Sequence, residues 1–242
     1  MLQLALIGLV AGLFSALFGV GGGILVVPLL VLVAHYGARE AAATSLGAIG
    51  VTALAGTVAY ALLGRVHVGD AALVGLPAAL GAVLGAALQQ RLPRRGLAVM
   101  FAGLLVAVAA LLFFDAEPSF DTGGAAIAAL LGVAAGVLAG LFGIGGGILF
   151  VPTLVALGLS HLDAEATSLL AILPTVAAGI WRQEGYGNFR RRPALTIGLC
   201  SVPGVALGVA LAESLSEETL QRLFALLMAG VAAQMAWRAR RP

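Results

Sequence analysis

The sequence predicts an all-α, polytopic helical membrane protein made of two inverted repeats of about five segments each, with Gly-rich helix breaks. Composition, an internal duplication and the placement of charge are the observations that predict it. Of 242 residues, 61% are hydrophobic and only 10% charged, too few polar groups to cover the outside of a soluble domain. Apolar runs recur from end to end and nearly all the charge lies in the short loops between them, the pattern of a bundle in lipid rather than a single anchor. All 13 basic residues are Arg, scattered over loops and helix ends. The net charge of +2 and pI near 9.2 therefore read as membrane topology, and no nucleic-acid partner is expected.

The duplication appears when the chain is slid against itself. At an offset of 124, Gly12-Leu-Phe-Ser-Ala-Leu-Phe-Gly-Val-Gly-Gly-Gly-Ile-Leu-Val-Val-Pro28 returns as Gly136-Val-Leu-Ala-Gly-Leu-Phe-Gly-Ile-Gly-Gly-Gly-Ile-Leu-Phe-Val-Pro152. One residue is dropped in the next loop. The offset of 123 then pairs Ala43-Thr44-Ser45-Leu46 with Ala166-Thr167-Ser168-Leu169 and holds through Gly81 and Gly85 on Gly204 and Gly208. Biased composition matches scattered Ala, Leu and Gly, but not a shared string with a single gap, so duplication is the economical account. It divides the chain into a first membrane repeat (1–114), an acidic inter-repeat loop (115–123) and a second membrane repeat (124–242).

The elements follow in order. Segment 2–18 has no basic stretch before it and no small-residue cleavage site after it, so it reads as a retained helix rather than a signal peptide. Segment 24–36 and its counterpart 148–159 are short: at about 1.5 Å per residue they cover about 20 Å of a hydrocarbon core about 30 Å thick. Each is thus a half-helix, a re-entrant limb or a strongly mismatched span. Segments 41–63, 71–90 and 96–114, with 124–142, 164–181, 194–212 and 219–237, complete the two sets. The spaced pairs Gly8/Gly12, Gly81/Gly85, Gly132/Gly136 and Gly204/Gly208 read as close helix packing. The lone Cys200 excludes an internal disulfide and reads as a small buried hydrophobe.

Charge sets the orientation. With the N-terminus cytoplasmic and every segment crossing, Arg39, Arg91, Arg94, Arg95, Arg182, Arg190, Arg191, Arg192, Arg238, Arg240 and Arg241 fall inside. Only Arg65 and Arg222 fall outside, the bias that the positive-inside rule expects. Most acids, among them Asp70, Asp163, Glu165 and Glu213, face out. Joining the first two segments into one crossing would move Arg39, Arg91, Arg94 and Arg95 outside and is rejected. A re-entrant hairpin of the same two segments leaves every loop in place, because zero and two crossings have the same parity. Under either surviving arrangement the two halves lie inverted and both termini are cytoplasmic.

Chemistry is expected where apolar helices break. Gly19-Val-Gly-Gly-Gly23 and Gly143-Ile-Gly-Gly-Gly147 each precede an apolar run beginning at Ile24 or Ile148. The first amides of such a run lack partners, and the helix N-terminus favours an anion. Glycine lets a ligand approach the backbone closely. Gly21, Gly22, Gly23 and Ile24, with Gly145, Gly146, Gly147 and Ile148, are therefore candidate substrate contacts, tight packing being the plainer reading. The hydroxyls of Thr44, Ser45, Thr167 and Ser168 can donate to carboxylate or sulfonate oxygens, or else cap helices and bond between them. Arg182 either lies at an aqueous vestibule or is a topogenic charge. Tyr60 aligns with Gln183, so both halves place a polar group there. No cysteine or histidine is spaced as a metal ligand and no cofactor is expected. No span carries the mid-segment carboxylate of a proton relay, so a coupling ion, H+ or Na+, has no evident carrier.

The duplicated Gly-x-Gly-Gly-Gly-x-x-x-x-Pro string with its downstream Ala-Thr-Ser-Leu resembles the sulfite exporter TauE/SafE family, also called the toluene sulfonate uptake permeases, over nearly all of the chain. The resemblance implies a bacterial or archaeal inner-membrane carrier of small anions such as sulfite, sulfoacetate, taurine-derived products or aryl sulfonates. The expected arrangement is an anion between the two Gly breaks with the halves rocking around it in the lipid bilayer, a homodimer being open to it. An enzyme is not expected: there is no Gly-x-Ser-x-Gly, His-Glu-x-x-His or acidic metal cluster, and a Rossmann glycine turn would need a strand before it and an acid after it. An anion channel and a membrane scaffold are the alternatives.

Overall fold

The computed structural model describes residues 1–93 and 124–216 continuously, with 96, 97, 99–101, 103, 104, 106, 219, 222, 223, 226 and 230 besides. Its helices are α1 (Leu2–Phe18), α2 (Gly23–Leu32), α3 (Ala38–Leu62), α4 (Val68–Arg91), α5 (Ala125–Phe142), α6 (Gly147–Ala156), α7 (His161–Gly185) and α8 (Arg191–Ser214), with no strand among the described residues. The expected segments 96–114 and 219–237 lie largely, and the acidic loop 115–123 wholly, outside the described residues.

α3, α4, α7 and α8 each begin three residues before the apolar run that betrays them. Their first turns carry Arg39 and Glu40, Asp70, Asp163, and Arg191 and Arg192, which are helical without being apolar. Ser160 caps α7, its Oγ accepting from the Asp163 amide at 3.2 Å. α2 stops earlier than the sequence reading of 24–36, because Val33 to Gly37 turn the chain with His35 at φ 57°. These four helices have 24 or 25 residues, about 36 Å and enough to cross a bilayer. α1 has 17 residues, and α2 and α6 have 10 each.

The spaced glycines are seams. Gly8 and Gly12 of α1 lie on the carbonyls of Ile197 and Ser201 in α8, and Gly204 and Gly208 of α8 lie on those of Leu9 and Leu13. The second seam repeats the first: Gly81 and Gly85 of α4 lie on Val133 and Val137 of α5, while Gly132, Gly136 and Gly140 lie on Val74, Ala78 and Ala82. In every case a Cβ would strike backbone, so only glycine permits this approach.

The same contacts give direction. Numbers rise together along α1 and α8, along α4 and α5, along α3 and α8 (Gly47 by Ala194, Gly198 by Val51) and along α4 and α7 (Gly75 by Ala171, Gly179 by Ala82). They run oppositely along α3 and its repeat mate α7, where Leu46 meets Gly179, Gly50 meets Val176 and Leu169 meets Gly56. Hence α1, α3 and α8 point one way and α4, α5 and α7 the other, which makes the repeats inverted.

Ion pairs identify the two ends. At what we term the basic end, Glu40 pairs with Arg190 at 2.7 Å, and Arg39 donates to the carbonyls of Gln90 and Leu92 at 3.1 and 3.0 Å. This gathers the start of α3, the start of α8 and the end of α4. At the acidic end, Arg65 reaches Asp163 at 3.6 Å and Glu213 at 3.3 Å, gathering the end of α3, the start of α7 and the end of α8.

α1 starts at the basic end, since it runs parallel to α8. α3 also starts there. The chain between them has therefore gone in and come back, and α1 with α2 is a re-entrant hairpin. α5 and α6 form the matching hairpin from the acidic end. Of the two arrangements the sequence allows, the structure has the hairpin rather than a full crossing of every segment. The cause is local: Gly19, Gly21 and Gly22 at φ 62°, 72° and 74°, and Gly143, Gly145 and Gly146 at 74°, 80° and 95°, reverse the chain through left-handed backbone. The ten residues of α2 or α6 then span only about 15 Å. Leu54, Leu76, Leu80, Leu84, Leu130 and Leu195 are exposed and form part of the lipid-facing surface.

Candidate functional site

The two hairpin tips meet at the centre of the bundle, backbone on backbone. A Cβ at Gly23 would stand 2.7 Å from the Ile144 Cα, and one at Gly147 would stand 2.5 Å from the Val20 Cα. Ile49 of α3 and Ile172 of α7 fill the remaining space. A Cβ at Gly21 would be 2.7 Å from Ile49 Cγ2 and 3.2 Å from Ile172 Cδ1, and one at Gly145 would be 3.1 and 3.3 Å from the two Cγ2 atoms. The sequence reading missed this pair. The signal was available: Ile49 and Ile172 are repeat mates at the offset of 123, three residues beyond the aligned Ala-Thr-Ser-Leu strings.

α2 and α6 start at the tips. The Gly22 carbonyl accepts the amides of Leu25 and Val26 at 3.1 and 3.0 Å, and the Gly146 carbonyl those of Leu149 and Phe150 at 3.1 and 3.2 Å. The amides of Gly23, Ile24, Gly147 and Ile148 precede any helical acceptor and point back into the centre, where each helix end carries a partial positive charge.

The opposite problem arises at the ends of α1 and α5, whose last carbonyls open inside the bundle and need donors. Tyr60 donates to the Ala16 carbonyl at 2.8 Å and Ser168 to the Gly19 carbonyl at 2.5 Å. Gln89 donates to the Leu141 carbonyl at 2.5 Å; its own side-chain oxygen accepts from Gln183 at 2.8 Å, and Gln183 accepts from Asn188 at 3.0 Å. The aligned pair Tyr60 and Gln183 thus stands behind the tips, holding the C-terminal ends of the broken helices.

Thr44, Ser45, Thr167 and Ser168 lie in the second turns of α3 and α7, not at their first residues, so none of them is a cap. Symmetry then breaks. Thr167 accepts from the His67 amide at 3.0 Å, and Ser168 binds Gly19 as above. Thr44 and Ser45 are fully buried, and among the described residues neither hydroxyl has a partner. Leaving such a group unpaired costs about 1–3 kcal/mol.

Arg182 is not brought to the centre. It lies in the last turn of α7 at the basic end, its guanidinium 4.7 Å over the Tyr186 ring. Glu165 lies at the acidic end with the other acids the sequence reading faces outward, yet it is only 7% exposed. α7 begins at His161, which puts residue 165 in a formed second turn facing the bundle. Among the described residues no three His, Cys, Asp or Glu side chains gather to hold a metal.

Two inverted repeats, each contributing a broken helix whose tip reaches the centre of the bundle, form the plan of a secondary transporter. The chain belongs to the Sulfite exporter TauE/SafE family, which it matches over residues 1–118 and 128–242. A probable membrane transporter protein of Xylella fastidiosa is 30% identical over 245 residues, covering 96% of this chain and 93% of the relative. The probable membrane transporter protein YdhB of Bacillus subtilis is 30% identical over 177 residues, covering 69% and 72%. A probable membrane transporter protein of Methanocaldococcus jannaschii is 25% identical over 248 residues, covering 93% and 91%. No solved structure matches. The protein is a multi-pass membrane transporter.

Proposed function

We propose that this transporter moves a small monoanion, a sulfonate or hydrogen sulfite foremost, across a bacterial or archaeal inner membrane by alternating access around the two glycine tips. The observation that carries the reading is the meeting of two helix N-termini, one from each repeat, at the centre of the bundle, together with Thr44 and Ser45 of the first repeat, buried with no partner for either hydroxyl among the described residues. Each N-terminus is worth about half a positive charge, so the pair balances about one negative charge without a buried cation. Two hydroxyl donors complete a site for anionic oxygens. In the present conformation the tips touch and Ile49 and Ile172 lie between them, so the site is closed and substrate enters when the hairpins part. The end that carries Arg39, Arg91, Arg190, Arg191 and Arg192 is cytoplasmic on this reading.

Uptake of sulfite, sulfoacetate, sulfolactate and plain carboxylates into proteoliposomes tests it. A carrier shows counterflow, acceleration by unlabelled substrate on the far side, whereas passive flux without counterflow is a channel's behaviour. Thr44→Val with Ser45→Ala is expected to lower uptake about tenfold, equivalent to about 1.4 kcal/mol. If that variant transports normally while Arg182→Gln binds nothing, the anion is held by a dedicated cation and the helix-terminus site is wrong.

A further inference from the structure

Among the described residues, Glu165 is the one buried acidic side chain, and its position is not that of a stray charge. Its backbone lies against the break that ends α1: a Cβ at Gly19 would stand 2.6 Å from the Glu165 Cα. The Ser168 hydroxyl that holds the Gly19 carbonyl also lies 2.7 Å from the Glu165 carbonyl. Tyr60, which holds the Ala16 carbonyl one turn earlier, is within electrostatic reach of the Glu165 carboxyl. Glu165 is therefore part of the clasp that fixes the C-terminal end of α1, and through it the first hairpin tip.

The other half supplies the comparison. The offset of 123 puts Ala42 in the place of Glu165, and Ala42 lies against Gly143 as Glu165 lies against Gly19. The two clasps share this backbone approach, and only the first has a carboxyl at that position. An ionisable side chain within a membrane bundle is costly and is usually tied to function. Here the cost acts on motion: the C-terminal end of α1 carries a partial negative charge, so an ionised Glu165 opposes the clasp and a protonated one permits it.

We propose that Glu165 binds the proton that drives this transporter, an inference that rests on the carrier reading above and names its coupling ion. The carboxylate takes one proton from water at the acidic end, becomes neutral while the clasp is closed, and loses that proton when the first hairpin withdraws. That hairpin enters from the basic end, so its withdrawal opens the route from Glu165 to the opposite aqueous phase. One proton moves with one monoanion, and no net charge crosses.

The ionisable neighbours are few. α3 presents Tyr60, and the turn after it Arg65 and His67. Arg65 is engaged with Asp163 of α7 and Glu213 of α8, and His67 pairs with Asp70 of α4 at 3.9 Å. His161 starts α7, while α1 and α2 bring no ionisable side chain. Asp163, about a quarter exposed, lies in the first turn of the same helix.

Two measurements on the full chain test this. Dicyclohexylcarbodiimide attacks protonated carboxyls in apolar surroundings, and peptide mass mapping between about pH 5 and 9 should find a label on Glu165 that fades as pH rises. Absence of a pH-dependent label on Glu165 overturns the proposal whether or not any substrate is known. In proteoliposomes, an acid gradient should make the wild type accumulate methanesulfonate, which stays ionised and carries no proton itself. Glu165→Gln should lose that accumulation while exchanging labelled for unlabelled methanesulfonate within about twofold of the wild type. Gradient-driven accumulation by Glu165→Gln, or accumulation in the wild type driven by Na+ instead, refutes the assignment. A wild type that neither accumulates nor exchanges any sulfonate refutes the carrier reading, and the labelling result then stands by itself.

Discussion

At Gly12 and Gly136 a single hydrogen atom decides whether two helices meet. A methyl in either place would press on the carbonyl of Ser201 or Ala78, and overpacking of this kind costs about 1–3 kcal/mol. Gly12→Ala and Gly136→Ala are accordingly expected to lower the melting temperature in detergent. Gly69→Ala, in the first turn of α4 with no atom of the described residues within 4 Å, should leave it unchanged or raise it, because alanine favours the helix by up to about 1 kcal/mol. The hydroxyls separate in the same way. Ser168→Ala removes the donor to Gly19 and should destabilise by about 1–3 kcal/mol. Ser45→Ala deletes a buried group without a partner, so melting should hold or improve while uptake falls. Only a side-by-side measurement of melting and uptake distinguishes these roles, since sequence presents Ser45 and Ser168 as equivalent.

Among the elements, the hairpins are where sequence reading ran out. Their existence was visible in the shortness of 24–36 and 148–159, and the seams were visible in the spacing of Gly8, Gly12, Gly81 and Gly85. Whether the short segments crossed was not, because a hairpin and two crossings put every arginine on the same side. The deciding feature is left-handed backbone at Gly19 and Gly21, which hydropathy does not register. Helix starts were misplaced for a related reason, since Arg39 and Asp163 are helical through first-turn geometry, with the Ser160 cap for Asp163, rather than through apolarity. The hairpin has its own test. Val20, only 3% exposed, should resist an impermeant maleimide from both faces as Val20→Cys in a Cys200→Ser background. A chain that crosses fully would expose it between segments. Ile49→Ala with Ile172→Ala removes the side chains between the tips and should raise passive leak of small anions.

The whole molecule is tied at both ends by charge. Glu40–Arg190 holds the basic end, and Arg65 with Asp163 and Glu213 holds the acidic one. Burial adds little to exposed pairs of this kind, so their use is positional. If alternating access is the working cycle, a flexible thiol crosslinker joining Glu40→Cys to Arg190→Cys should stop uptake. Joining Arg65→Cys to Glu213→Cys should do the same from the other side, and cleaving the linker should restore flux in both. Continued flux through either locked protein would mean that its end does not open. The inversion behind this prediction was legible from arginine placement, and the antiparallel contact of Gly50 with Val176 gives it a physical form.

The exchange of partners between repeats also sets a timetable for synthesis. α1 leaves the ribosome first, and the helix it zips against is among the last, since Gly8 and Ile197 are 189 residues apart. At about 5–20 residues per second the nascent helix waits about 10–40 s. Throughout that delay its glycine face lacks α8, so a chain halted after α7 presents quality-control proteases with an unzipped first helix.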